Sequence, residues 1–142
     1  MKSVMKKILV LLMALVLLFG ITACREETPA DALWADARYT EDTSLGEGAK
    51  SFTLEVTAGE RTVVFSVKTD AKTVGDALLA LGLLEGEEGP YGMYVKRVNG
   101  ILADYDVDGT YWSFNIGGEY AMTGVDMTEI TDGGAYALVR TK

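Results

Sequence analysis

The sequence predicts an α+β domain: a hairpin and a helix in the order ββα, followed by several short antiparallel strands, with the one helix packed across a sheet that is mixed or antiparallel. Three observations predict it. Apolar residues alternate at period two from Ser51, the period switches to that of a helix after Thr73, and turn signals then separate a series of short apolar runs.

In the first segment Phe52, Leu54 and Val56 alternate with Thr53, Glu55 and Thr57, and after Ala58-Gly59-Glu60 the alternation resumes at Val63, Phe65 and Val67. This is a β-hairpin with one buried face. Thr73 and Asp76 then make a capping box, and Val74, Ala77, Leu78 and Leu81 fall at i, i+3, i+4 and i+7. Gly82 stands where a left-handed residue ends a helix, and Leu83 folds back on the last turn. A helix of about two and a half turns holds only by packing on the hairpin. An acidic loop is expected over 85–92. Strands over 94–98 and 101–103 flank Asn99-Gly100, the strongest two-residue hairpin signal. Trp112, Phe114 and Ile116 alternate with Tyr111, Ser113 and Asn115, which turns Phe114 and Ile116 to the core. Gly117-Gly118 sends the chain back toward Tyr120, and Asp132-Gly133-Gly134 precedes a closing strand over 136–141. The sequence contains no internal repeat.

The N-terminus reads differently. Lys2, Lys6 and Lys7 precede an apolar run over 8–20, the order of a secretory signal, and the run is shorter than the roughly 20 residues a spanning helix needs. Ile21-Thr22-Ala23-Cys24 resembles the lipobox of bacterial lipoproteins. The expectation is that residues 1–23 are removed and that Cys24 carries the lipid, which places the chain outside the cytoplasm and anchors it to the bacterial membrane. Residues 24–49 then form an acidic tether with seven acids, in which Thr28-Pro29 starts a short helix. Trp34 and Tyr39 in it either pack on the domain or stay exposed, and a solvated spacer is the simpler reading. The domain itself is expected over 50–142.

Composition excludes several functions. Loss of residues 1–23 removes three lysines and no acid, which takes the formal net charge from −8 to −11. Such a chain is repelled by nucleic acid. With Cys24 the single cysteine, no internal disulfide forms. The chain has no histidine, hence no Ser-His or Cys-His pair and no common zinc ligand set, and no Gly-rich phosphate loop. The expectation is a protein that is not an enzyme.

Five motifs recur in the order of a known family. They are Thr73-Val74-Gly75-Asp76-Ala77-Leu78, Val98-Asn99-Gly100, Tyr111-Trp112-Ser113-Phe114, Gly124-Val125-Asp126, and the Asp132-Gly133 turn before a last strand. The stretch 73–141 resembles the DUF4430 domain, which is similar to the C-terminal β domain of transcobalamin and intrinsic factor. The resemblance implies a β-grasp-like fold and a cobalamin-like (corrinoid) ligand, which those proteins hold between a helical domain and this smaller one. This sequence departs from them in having no helical domain and no histidine to meet cobalt. A corrinoid would be covered on one face only, or the site completed by a helical partner protein.

A corrin is a broad, mostly apolar disc rimmed with amides, so its site needs flat aromatic faces and hydrogen-bonding edges. Aromatic residues crowd the stretch from Tyr91 to Tyr120. The candidate ligand-binding residues are Tyr111, Trp112, Asn115, Tyr120 and Met122. Trp112 matches the family's motif tryptophan, and a large core residue is its simpler reading; Met122 equally suits a gap-filling loop methionine. Calcium is a second candidate, because Asp104, Asp106 and Asp108 with Gly109 match the first six positions of an EF-hand loop. Position twelve is Asn115 where a glutamate is required, and an acidic turn is the simpler reading. The expected function is a surface-tethered corrinoid-binding lipoprotein that captures the ligand or passes it to an importer. The alternative is a spacer, adhesion or protein-interaction module on the cell surface, stiffened or not by calcium.

Overall fold

The computed structural model describes residues 3–7 and 29–142. Most of the expected signal, together with Cys24 and the Thr28 cap, lies outside the described residues. Among the described residues no helix is long and apolar enough to cross a membrane.

The elements are α1 (Pro29–Leu33), β1 (Thr43–Leu45), β2 (Lys50–Ala58), β3 (Arg61–Thr69), α2 (Val74–Ala80), β4 (Leu84–Gly89), β5 (Gly92–Val98), β6 (Ile101–Leu102), α3 (Tyr105–Asp108), β7 (Tyr111–Ile116), β8 (Glu119–Tyr120), a 3₁₀ turn (Val125–Met127) and β9 (Gly134–Thr141). They are mixed α+β, mostly sheet with a few short helices. The large sheet runs β1-β3-β2-β9-β7-β8, and β4-β5-β6 make a second, smaller one.

The β2–β3 hairpin forms as the alternation requires. Phe52, Leu54, Val56, Val63, Phe65 and Val67 are all buried, while Ser51, Thr53, Glu55, Ser66 and Lys68 are exposed. Each large side chain so buried contributes roughly 1.5–3 kcal/mol. Helix α2 lies against this face through Val74, Ala77 and Leu78. Its start is the expected cap, with Thr73 Oγ1 accepting from the Asp76 N–H at 3.1 Å. At its end Gly82 has φ +66°, the Leu83 N–H reaches the Leu78 carbonyl and the Gly82 N–H the Leu79 carbonyl. That pair of bonds is a complete Schellman motif. Asn99 (φ +52°) and Gly100 (φ +82°) turn β5 into β6 as a type I′ hairpin.

Four expectations need correction. The acidic stretch 85–92 is not a loop: it belongs to β4 and to the turn into β5, with Leu84 opposite Val98 and Gly89 opposite Gly92. Its sequence hides the strand because both faces of it are exposed beyond Leu84, leaving no period of burial to read. The register slips between Glu85 and Gly86, and a Cβ on Gly86 would fall 2.5 Å from the Tyr94 carbonyl oxygen, so the glycine marks a bulge. The strands also make two sheets rather than one, and of the two expected forms the large one is mixed: β9 pairs β2 in parallel, β1 pairs β3 in parallel, and β9 lies between β2 and β7. Ile116 is exposed, since it ends β7 at the Gly117-Gly118 turn beyond the edge of the core.

The fourth correction concerns the expected spacer. Trp34 is 3% exposed, its Nε1 donates to the Ala58 carbonyl at 2.9 Å, and the Arg61 guanidinium lies over its ring. Tyr39 meets Phe65 edge to face. The Tyr39 N–H donates to Asn99 Oδ1 at 2.9 Å, Asn99 Nδ2 donates to the Tyr39 carbonyl at 2.8 Å, and Arg38 Nη1 donates to the Gly82 carbonyl. Asn99, fully buried, thus serves both as a turn residue and as the dock for residues 38 and 39. This segment is a strap packed on the domain, because its aromatic residues gain more by burial than a solvated chain keeps in entropy.

Candidate functional site

A half-open cleft of about 310 Å³ lies where the β7 edge of the large sheet approaches β5 of the small one. Met93, Tyr94 and Val95 form one wall, Tyr111, Trp112 and Phe114 the other, and the chain from Tyr120 to Val125 crosses between them. The volume is at the lower end of ordinary ligand sites. Tyr120 is well exposed at the rim, and Met122 is 94% exposed. Tyr91, at the tip of the β4–β5 hairpin, is similarly bare.

Of the five residues expected to bind a ligand, Tyr111, Trp112, Tyr120 and Met122 line this cleft together. Asn115 does not: it lies farther along β7, opposite Tyr120 in the β7–β8 ladder. Trp112 is a core residue that also lines the cleft. It is buried, its Nε1 donates to the Lys96 carbonyl at 3.2 Å across the two sheets, and its ring still forms part of the cleft wall. Met122 is no gap-filler, because it touches little and stands in solvent.

Met93 and Asp126 were not singled out from sequence. Their placement follows from how two of the quoted motifs meet. Gly75 of α2 packs main chain to main chain on the 3₁₀ turn, where a Cβ would come 2.9 Å from Asp126 Cα. The Val74 N–H donates to the Thr128 carbonyl and the Ile130 N–H to the Lys72 carbonyl, so the chain from 124 to 130 is stitched to the start of α2. Asp126 Oδ2 accepts from the Met93 N–H at 3.1 Å and ties the turn to β5. The glycine before an acidic residue in each motif was the available signal.

Two of the three aspartates expected to hold calcium, Asp104 and Asp108, are engaged within the protein. Asp104 caps α3, with Oδ1 accepting from the Asp106 N–H at 3.1 Å. Asp108 Oδ1 accepts from the Thr110 N–H and hydroxyl, and Oδ2 pairs with Arg140 at 3.0 Å. The Thr110 hydrogen bonds, with the Arg140 charge behind them, hold the Asp108 carboxyl below its ordinary range. Gly109 (φ +73°) closes the turn as a left-handed cap. The segment is one turn of helix where a calcium loop needs converging oxygens, and among the described residues no group of three acidic, cysteine or histidine side chains could hold a metal ion. Glu85 and Glu87 face Arg97 and Lys96 at 3.7 and 3.4 Å on an exposed surface, where such pairs contribute little.

The fold is shared with solved structures. A protein of Ruminococcus gnavus ATCC 29149, provisionally described as metal-binding, is 35% identical, with a TM-score of 0.63 over 66% of this chain and 98% of that one. Haptocorrin in complex with cobinamide is 19% identical, with a TM-score of 0.56 over 69% of this chain and 26% of that one, and at that identity the likeness is one of fold. Both similar structures are of binding proteins rather than enzymes. No curated protein matches by sequence. The model of the domain of unknown function DUF4430 matches residues 71–135, the stretch that contains α2, both stitched motifs and every residue lining the cleft but Leu138. The chain belongs to the DUF4430 family, and it is similar to the β domain of transcobalamin-like proteins.

Proposed function

We propose that this chain is a non-enzymatic binding module whose cleft takes one face or edge of a corrinoid. The observation that carries the reading is the convergence of Tyr111, Trp112, Tyr120 and Met122 on one half-open cleft. Flat aromatic walls and a polarizable thioether suit a broad, weakly polar ring, and a cleft of this size leaves most of such a ligand for a partner or for solvent. The haptocorrin–cobinamide complex supports the choice of ligand, and the ββα start of the fold is compatible with a β-grasp. On this reading lipid on Cys24 holds the module at the outer face of the bacterial membrane, where it captures the corrinoid or passes it to an importer. A helical partner protein would cover the second face.

Calorimetry of the full chain with cobinamide tests it. The expected dissociation constant is on the order of micromolar, or about 8 kcal/mol. Tyr111→Ala is expected to weaken binding with an unchanged melting temperature, because the half-buried ring gives up cleft wall rather than core. Trp112→Ala is expected to cost about 3–5 kcal/mol of stability as well, since its ring serves both. The absence of heat from demonstrably folded protein would favour the interaction or spacer module. That second reading draws on the exposed Tyr91, Met122 and Met127, residue types enriched where proteins meet.

A further inference from the structure

The corrinoid reading uses the aromatic walls and leaves without a role one polar group that adjoins the cleft but does not line it. The two carboxylate oxygens of Asp126 have different surroundings. Oδ2 accepts from the Met93 N–H at 3.1 Å, while Oδ1 is sealed from solvent and is the one buried side-chain polar atom without a hydrogen-bond partner among the described residues. Stability does not account for it, because a buried acceptor left unpaired opposes folding. Its position is informative. A Cβ built on Gly124 would stand 2.9 Å from Oδ1, and one on Gly92 would stand 3.0 Å from it. Gly124 and Met93 both line the cleft, so Oδ1 lies next to main chain that forms the cleft wall. Thr123 beside that glycine and Met122 beyond it are exposed, while the Gly124 carbonyl accepts from Thr128 Oγ1 at 2.9 Å and from the Met127 N–H at 3.2 Å, so two hydrogen bonds hold this stretch of wall.

We propose that Asp126 Oδ1 is the specificity-determining acceptor beside the cleft, reached when the ligand displaces the Gly124 main chain from those two bonds, and that it takes an N–H donor from the ligand. The inference rests on the corrinoid reading and names the part of the ligand involved: an amide of the rim, not a carboxylate. An amide N–H completes the hydrogen bonding of the orphaned oxygen, whereas a ligand carboxylate would face it with like charge in a site shielded from water. Gly92 and Gly124 are then required because any side chain there would stand on the oxygen.

Asp126→Asn isolates the claim. Its carboxamide oxygen keeps the bond from the Met93 N–H, and its NH₂ takes the place of Oδ1, so an acceptor becomes a donor with almost no change of shape. Calorimetry on the full chain is expected to show cobinamide binding at least tenfold weaker in the variant, with a melting temperature equal to or above that of the unaltered protein. A cobinamide side-chain monocarboxylate is expected to bind the unaltered protein at least tenfold more weakly than cobinamide itself, and this preference is expected to vanish in Asp126→Asn. Equal affinity of both proteins for cobinamide overturns the role of Asp126 and leaves the corrinoid reading standing. A preference for amide over carboxylate that persists in the variant also overturns it, even if affinity has dropped, since that drop would come from a displaced wall. No binding of cobinamide by the unaltered protein overturns both.

Discussion

The two long hairpins of this domain are held by different physics. In β2–β3 every second residue is buried in the common core, and the outward residues are mostly hydroxyls. In β4–β5 only Leu84 and Val98, at one end, are fully buried; the rest is glycine, glutamate and half-exposed apolar residues, bulged at Glu85 and laced by exposed ion pairs. The first hairpin is fixed by burial, the second by backbone pairing and by what it is attached to. The difference separates foundation from site: β5 supplies a wall of the cleft and is the hairpin whose shape can yield to a ligand without unfolding the core.

Substitutions can break or sharpen this contrast. Phe65→Ala, in the first hairpin, is expected to lower stability by about 3–5 kcal/mol, whereas Tyr94→Ala in the second is expected to change it by no more than about 0.5 kcal/mol. Denaturant melts of the two variants measure both, and similar losses would mean that the second hairpin is as much a part of the core as the first. Glu85→Lys sets a cation directly opposite Arg97 and is expected to cost about 0.5 kcal/mol, fading as salt is added. A loss of several kcal/mol would show that the ion pairs, not the backbone, hold β4 in place.

The smallest effect expected is in the turn between the sheets. The Asp108 carboxyl titrates below its ordinary value of 3.8 in the folded protein, first through its Thr110 bonds. It therefore stabilises the fold above that value, and the contribution disappears as pH falls through the lower, folded one. Asp108→Asn is expected to melt slightly below the unaltered protein at neutral pH and together with it in strong acid. Curves that stay separated in strong acid would trace the loss to packing rather than to charge.

The same contrast decides what could be read in advance. One-sided burial writes its period into the sequence, so β2, β3, α2 and its Schellman ending were legible from Phe52, Leu54, Val56, Val63, Phe65, Val67 and the Thr73-to-Leu83 pattern. β4 was illegible because its glycine answers a bulge and its glutamates answer solvent, and both look like loop. Trp34 and Tyr39 carried no periodic signal, since their burial depends on Ala58, Phe65 and Asn99, which are distant in sequence. In the site, the aromatic crowding exposed Tyr111, Trp112 and Tyr120 at once, and Met122 with them. Asn115 was misplaced because neighbours along a strand look alike until the edge is known. Asp126 stayed hidden, because its meaning lies in two glycines, one of them 34 positions away.

The parallel pairing of β9 with β2 has a consequence for how the chain acquires its shape. The strand that joins the two halves of the large sheet comes from residues 134–141, yet it sits between strands that begin at residues 50 and 111. A polypeptide emerging from a ribosome or a translocation pore can make the β2–β3 hairpin early and locally, but β7, paired only with the two-residue β8, cannot join the rest of the large sheet until Gly134 and its successors have appeared. Until then Leu54, Val56, Trp112 and Phe114 are sticky and uncovered. A product interrupted anywhere before residue 134 is thus expected to be a target for chaperones and proteases rather than a smaller working domain, however intact its cleft residues are on paper.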